Sequence, residues 1–266
     1  MNTALETQLA GRNPSMRLSE RLLSRFCKDP QAVPYCDPAS PEDIANRIAP
    51  EQPLRELLRA FPSLPELICG KTVLDFGCGW GDQSAAMAEL GAIVTGFDTH
   101  AGLLAAARAR YPGVRYLERI DGERFDVIVT QDAMEHFNDP RAALGLMVSA
   151  LKPGGPILMT FGPPWFAPYG THMDFFCKLP WLQLLFPEKT VMGVRERYRQ
   201  DGAQHYEEVE SGLNRMSLRK FERLIRESGL TMKRRDYIGV KKLHTLTKIP
   251  MVRELTTVAV VAVLTH

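Results

Sequence analysis

Three things are scarce in this chain of 266 residues. The first is paired cysteine. Cys27, Cys36, Cys69, Cys78 and Cys177 are an odd number with no C-x-x-C pair, which excludes a disulfide framework or a zinc knuckle and fits reduced thiols. The second is a long apolar run. None approaches the roughly 20 residues that cross a bilayer, and the N-terminal residues carry no apolar segment of secretory type. Together with the thiols, this gives the expectation of a cytoplasmic protein. The third is net charge. With 33 Lys and Arg against 31 Asp and Glu, the sum is +2, so the whole molecule has no strong electrostatic bias toward nucleic acid or membrane. The histidines are scattered without the spacing of a metal site, so no metal is expected. There are no internal repeats.

What is present is unevenly placed. Residues 215–253 hold twelve Lys and Arg and three acids, an excess of nine positive charges, and the remainder carries −7. A basic C-terminal third could meet an anionic substrate, nucleic acid or a membrane surface, or could be a solvated helix face with edge strands. Hydrophobic residues make up 45% of the chain, enough for one large domain or a domain with an insertion.

The chain is organised around V-L-D-F-G-C-G-W-G-D-Q-S, Val73 to Ser84. Lys71 to Phe76 reads as a buried strand carrying one acid, Asp75. Gly77, Gly79 and Gly81 follow at alternate positions, and Asp82 to Leu90 reads as a helix that Asp82 or Ser84 could cap. Glycines here allow positive φ and close approach of a ligand to the backbone, whose free N–H groups face it. A dinucleotide fingerprint needs G-x-G-x-x-G. Here Asp82 stands where its third glycine would be, and Asp75 would repel a pyrophosphate. A cationic ligand reverses that objection. Cys78, inside the turn, is either reactive or simply small enough to fit.

The order continues with a second apolar strand, Ala92 to Phe97, ending at Asp98 and Thr99. An acid about twenty residues after the glycines is placed to accept hydrogen bonds from ribose hydroxyls. An alanine-rich helix (His100 to Tyr111) and a third strand (Val114 to Glu118) follow. Phe125 to Thr130 is a fourth strand, running into Q-D-A-M-E-H-F. Pro140 to Leu151 is a helix, and L-K-P-G-G turns the chain into a fifth strand, Ile157 to Phe161. From Gly162 the βα rhythm stops. Residues 162–215 are rich in aromatics and proline, too long for an ordinary loop. Ser217 to Ser228 is an amphipathic helix. Thr231 to Val240 and Thr256 to Leu264 read as two final strands. Upstream, Ser15 to Lys28 is an amphipathic basic helix, residues 29–41 a proline-rich connector, and Pro53 to Ala60 a second helix.

The pattern D-x-G-x-G-x-G with F-D-V-I-V-T-Q-D-A-M-E-H-F-N-D-P and L-K-P-G-G resembles the Rossmann-like (class I) S-adenosylmethionine (SAM)-dependent methyltransferases, particularly their small-molecule, type 11-like branch. The resemblance covers about residues 70–160 closely and 215–266 loosely. It implies a seven-stranded, mostly parallel α/β sheet of order 3-2-1-4-5-7-6, helices on both faces and a cap inserted after strand 5. It divides the chain into an N-terminal helical lid (1–68), a SAM-binding core (69–161), an acceptor-binding cap (162–215) and a C-terminal helix with the strand 6/7 hairpin (216–266). By family analogy Asp75 lies near the cationic methionine part of SAM, with Gly77, Cys78, Gly79 and Gly81 against it. Asp98 and Thr99 face the ribose, Gln131 and Asp132 the methionine end, and Glu118 or Asp121 the adenine.

Methyl transfer from a sulfonium needs orientation and a dry site. An oxygen acceptor also needs a base to take its proton. His172, with Asp174 near enough to orient it, is the first candidate and His205 the second, while His136 reads more as a loop support. The expected acceptor is a small, partly apolar molecule methylated on a hydroxyl or an amine. Two rivals stand. One is a nucleic-acid methyltransferase using the basic third, though the N/D-P-P-Y tetrad of the amino-methylating enzymes is missing. The other is a non-catalytic partner subunit. A monomer or homodimer, with a possible peripheral membrane contact, completes the expectation.

Overall fold

The computed structural model describes residues 16–33, 51–209, 212–241 and 244–266. The polar N-terminus and most of the proline-rich connector expected from the sequence lie outside these residues. Seven strands form one sheet of order β3-β2-β1-β4-β5-β7-β6. They are β1 (Thr72–Phe76), β2 (Ile93–Phe97), β3 (Arg115–Leu117), β4 (Val127–Gln131), β5 (Pro156–Phe161), β6 (Thr231–Gly239) and β7 (Thr257–Thr265). The first five are parallel, and β7 runs antiparallel to both β5 and β6. This is the architecture that the sequence pattern implies.

Side-chain alternation, with its period of two, builds a core on each face. On one face Leu74, Phe76, Ile128, Met159 and Phe161 pack against Leu144 and Met147 of helix Pro140–Ala150 and Phe221, Leu224 and Ile225 of helix Leu218–Glu227. On the other, Val73, Val94, Val127, Val129 and Leu158 meet Leu57 and Phe61, Leu64 and Ile68, and Met87. These belong to helices Glu51–Ala60, Leu64–Ile68 and Asp82–Glu89. In chain order the α-helices are α1 (Leu18–Ser24), α2 (Glu51–Ala60), α3 (Leu64–Ile68), α4 (Asp82–Glu89), α5 (Ala101–Arg110), α6 (Pro140–Ala150), α7 (Leu182–Leu185), α8 (Glu188–Arg195), α9 (Leu218–Glu227) and α10 (Pro250–Thr256).

Three elements differ from the sequence reading. The helix expected over residues 15–28 is the shorter α1. The connector between β6 and β7 contains α10, which Pro250 opens at a position where a missing N–H costs nothing. Neither Asp82 nor Ser84 caps α4. Its N-cap is Gly81, in the left-handed region with no side-chain bond. Asp82 instead accepts from the Tyr111 hydroxyl at 2.5 Å and pairs with Arg110, while Ser84 turns inward to the buried Asp75.

The segment after β5 has a core of its own. Met173, Phe176, Val191, Val194, Tyr198 and Tyr206 are buried together, and Leu23 of α1 completes the cluster. The N-terminal helix thus packs on the insertion rather than on the sheet. Ser19 and Thr190 share a hydrogen bond of 3.0 Å, and the Tyr198 hydroxyl donates to the Lys28 carbonyl at 2.6 Å.

Candidate active site

The glycine turn sits where β1 delivers the chain to α4. Gly77, Gly79 and Gly81 have φ of 81°, 50° and 81°, a region that L-residues with a Cβ adopt only under strain. Space adds to the requirement at Gly81, where a Cβ would run into the Tyr116 hydroxyl. At Gly79 it would face open space, so the backbone there is accessible to a ligand. The N–H groups of Gly77 and Cys78 donate to the Phe97 carbonyl at 2.8 and 3.0 Å. This ties the turn to the end of β2.

Asp98 is fixed by the same turn. Its Oδ2 accepts from the Gly79 N–H at 3.0 Å and its Oδ1 from the His100 N–H at 2.9 Å. Each oxygen keeps a lone pair for a further donor. Asp75 is a different kind of acid. It is buried, and its carboxyl accepts from Gln83 Nε2 at 2.8 Å and Ser84 Oγ at 2.5 Å. Burial lifts its pKa to about 7, against the lowering effect of those two donors. Its immediate work is to tie the first turn of α4 to β1.

Two cavities open at the carboxyl ends of the parallel strands, where ligands of such sheets bind. The smaller, of about 260 Å³, is lined by Asp75, Gly79, Trp80 and Gln131, and by Gln52 and Glu56 of α2. The larger, of about 680 Å³, holds Asp98, Thr99, Leu103, His136 and Phe137, and the insertion contributes Glu207, Val209 and Gly212. Gly77 and Asp132 line both cavities, which makes them a continuous crevice past the glycine turn.

The smaller cavity is rich in acceptors. Asp132, itself left-handed at φ 49°, opens to solvent in the crevice, and lost solvation in the cleft, then the neighbouring charge of Glu56, raises its pKa to about 6. Gln131 Oε1 is buried without a hydrogen-bond partner. An orphaned acceptor beside crowded carboxylates suits a donor that carries positive charge. SAM carries a sulfonium and an ammonium, so these residues fit it. Asp98 in the adjoining cavity suits its ribose.

Around the large cavity, the loop after β4 is stitched to the end of the insertion. His136 Nδ1 is 2.8 Å from the Gly212 carbonyl. Asn214 supplies the donors here. Its backbone N–H donates to the Glu135 carbonyl at 2.9 Å, and its Nδ2 to the carbonyls of Met134 and Phe137 at 2.8 and 2.9 Å. Glu135 is buried, accepts from the Gly162 N–H at 2.9 Å through Oε1, and leaves Oε2 without a partner. Burial raises its pKa to about 8.

The structure therefore gathers Asp75, Gly77, Cys78, Gly79, Asp98, Thr99, Gln131 and Asp132 at the crevice. Burial pushes the Cys78 thiol well above its usual range, so it is a small filler of the turn and no nucleophile. Gly81 serves the turn from behind. Asp121 is exposed, pairs with Arg119 at 3.8 Å and lines neither cavity. Glu118 pairs with Arg108 instead.

The three residues read as a base and its support do not line the crevice either. His172 lies behind His136, their rings edge to face at 5.1 Å, with its Nε2 3.4 Å from the Pro163 carbonyl. Burial, then His136, lowers its pKa to about 4, so it is neutral. Asp174 is exposed, and His205 is a surface residue 3.8 Å from Glu188. Sequence reasoning missed Gln52, Glu56, Leu103 and the residues around Gly212. Gln52, Glu56 and the Gly212 region carry no local signal, because distant segments of the chain bring them to the crevice, whereas Leu103 stands on α5 just after Asp98 and Thr99.

A family model for a methyltransferase domain matches residues 45–234. The chain belongs to that family, the class I SAM-dependent methyltransferases. Among curated proteins, the ubiquinone biosynthesis O-methyltransferase of Pasteurella multocida (strain Pm70) is 35% identical over 113 residues, 35% of this chain and 47% of that protein. The protein of the same description from Idiomarina loihiensis is 39% identical over 102 residues, 34% of this chain and 42% of its own. The chain thus spans less than half the length of these relatives. Among solved structures, a SAM-dependent methyltransferase from Mesorhizobium loti superposes with a TM-score of 0.53 at 18% identity, covering 82% of this chain and 98% of that one. One from Archaeoglobus fulgidus does so with 0.53 at 13%, covering 82% and 95%. These likenesses carry the fold alone.

Proposed function

We propose that this chain transfers the methyl group of SAM to a hydroxyl of a small, partly apolar acceptor, with an amine as the other acceptor its pocket could serve. The observation that carries this reading is the continuous crevice: an acceptor-rich end at Gly79, Gln131 and Asp132, Asp98 in the middle, and an aromatic and aliphatic wall beyond. Gly79, Gln131 and Asp132 would hold the methionine end, and Asp98 and Thr99 the ribose. When bound, SAM supplies an electrophilic methyl group on a cationic sulfur.

The protein's part is positioning, exclusion of water and proton removal. Phe137, Leu146 and Val209 give the large cavity flat and aliphatic surfaces for an apolar ring. The insertion covers that cavity and limits water, which strengthens every polar contact inside. His136, on the cavity wall, takes the acceptor's hydroxyl proton. His172, neutral and packed against it, keeps the His136 ring in place. Asp174 and His205 then have no direct part in the chemistry. The named O-methyltransferases among the relatives support oxygen over nitrogen as the acceptor atom.

Calorimetry tests the cofactor reading. SAM or its demethylated product should give heat, and Asp98→Ala should weaken binding at least tenfold, about 1.4 kcal/mol. No heat with SAM beside tight binding of a nicotinamide dinucleotide would overturn it. A panel of phenols and hydroxylated rings, scored by methyl incorporation, tests the acceptor.

A further inference from the structure

Cys27 and Cys177 face each other across an isolated antiparallel bridge that joins the end of the N-terminal helix region to the insertion. The Lys28 N–H donates to the Phe176 carbonyl at 2.8 Å. That bond runs between the residue after Cys27 and the residue before Cys177, which makes the cysteines a non-hydrogen-bonded pair. In such pairs the Cα atoms lie about 4.5 Å apart and the side chains stand on one face. A disulfide spans Cα separations of about 4.4 to 6.8 Å. The two sulfurs also donate to carbonyls of the same short segment, Cys27 to Leu23 at 3.3 Å and Cys177 to Phe26 at 3.8 Å.

The surroundings favour reaction. Cys27 is partly exposed and Cys177 buried. Their mutual hydrogen bond pushes the Cys27 thiol well above its usual range and brings the Cys177 thiol down to about 7, so Cys177 is the thiolate of the pair. Among the described residues Cys69 and Cys78 have no such neighbour, since Cys78 is packed under the glycine turn and Cys69 lies at the other end of β1 beside Gly91.

We propose that Cys27 and Cys177 form a reversible disulfide under hydroperoxide, fastening the N-terminal helix to the cap. In the first step one thiolate of the pair attacks a hydroperoxide, whose O–O bond breaks. The sulfur becomes a sulfenic acid and the peroxide leaves as an alcohol, or as water from hydrogen peroxide. The second thiol then displaces water from that sulfenic acid to form the S–S bond. Two thiols are oxidised and one peroxide is reduced. A small thiol reverses the process by exchange.

The bond would close a loop of about 150 residues between Leu23's helix and the cluster it shares with Met173, Phe176 and Tyr198. That cluster supports the same insertion that brings Glu207, Val209 and Gly212 to the large cavity. Oxidation would therefore hold the cap shut on its N-terminal support. This device stands whether or not the acceptor proposed above is right.

The full chain is treated with hydrogen peroxide, blocked with an alkylating agent and digested. The expected result is a cross-linked peptide pair containing Cys27 and Cys177, lost on adding dithiothreitol. The oxidised protein should melt several degrees higher, and hydrogen exchange should slow over residues 18–28 and 173–198. Cys27→Ser should abolish both effects while leaving the reduced protein's melting temperature within a degree or two. Cys177→Ala, scored by whether Cys27 then stops forming any intramolecular link, checks the pairing from the other side. Oxidation of Cys69 or Cys78 with Cys27 and Cys177 still alkylated, or a cross-link to a different cysteine, would overturn the proposal.

Discussion

His136 and His172 are two histidines of one stack with opposite surroundings. His136 borders the large cavity, and His172 is half-buried against it with its pKa lowered to about 4 by desolvation. Base catalysis typically contributes 10²–10⁴-fold. His136→Ala should lower kcat on a hydroxylated acceptor by about that factor and leave SAM affinity nearly unchanged. His172→Ala should cost roughly tenfold or less in kcat, with a fall in melting temperature from the lost packing. Equal and large kcat losses in both, with no change in stability, would contradict the division of labour. The desolvated acids add a pH signature. Glu135 is raised from an ordinary 4.5 to about 8, so the folded state holds a proton that the unfolded state has released. Stability from this group is greatest below about 4.5 and falls as pH rises through 8. Glu135→Gln should flatten the melting temperature between these limits. Asp132, raised to about 6, should ionise when a cation arrives. Calorimetry at pH 6 in buffers of different ionisation enthalpy should then show proton release on SAM binding. Proton uptake would contradict a cation at that cavity.

At the scale of elements, the insertion meets the core through few but specific bonds. Asn214 is the main one. Its Nδ2 satisfies two carbonyls of the loop that carries His136, and its backbone satisfies a third. Asn214→Ala leaves those two carbonyls without their side-chain donor, a cost of about 1–3 kcal/mol. Its signature should be specific: KM for the acceptor rises while SAM binding holds, since Asp98 and the glycine turn are on other elements. A melting temperature unchanged within a degree would show that water replaces the amide. The N-terminus of α9 shows a similar economy. The Glu254 carboxylate accepts the Leu218 and Arg219 N–H groups at 3.0 Å, so this helix end is already satisfied within the chain and is not an open anion site.

For the whole molecule, five of the twelve basic residues in the C-terminal third are engaged within the fold, Lys220 among them through the Asn214 carbonyl. Arg215 pairs with Glu188 and Glu207, Arg234 with Asp236, and Arg235 with Glu222. Arg253 donates to the Thr247 carbonyl at 2.6 Å. Arg219, Arg223 and Arg226 form a basic face on α9 that borders an open groove, and Lys233, Lys241 and Lys248 are spread over β6 and the segment after it. Such a face does not by itself give the dense phosphate-tracking surface of a nucleic-acid enzyme. Methyl transfer to a small acceptor should therefore be unaffected by added RNA and change less than about twofold between 50 and 200 mM salt. A requirement for RNA with a steep salt slope would favour the nucleic-acid reading. Among the described residues no helix is long and apolar enough to cross a membrane. Leu18, Leu22 and Phe26 are exposed at four-residue spacing, an apolar edge on an otherwise basic segment.

The local signals in the sequence were enough for the strands and for the glycine turn beside Asp98. Apolar alternation sets strand faces, three glycines set a left-handed turn, and Asp98 follows β2 directly, so each is decided by neighbours in the chain. The strand order and the antiparallel β7 came from the pattern's resemblance to its family, and the hydrogen-bonded register agrees. Side-chain partnerships were beyond the sequence. Ser84 is an ordinary capping residue until a buried carboxyl at Asp75 competes for its hydroxyl. His172, set in a polar stretch, reads as available, but the insertion folds its backbone to φ 55° and packs the ring against His136. Cys27 and Cys177 look unrelated at their sequence distance and are facing partners in space. The sequence by itself determined which strands form and where the left-handed glycine turn and Asp98 stand, because those depend on short-range pattern and backbone conformation. Only the tertiary structure decided which histidine meets the cavity, which acids have raised pKa values and which thiols face each other, because desolvation and contact between distant segments set those properties.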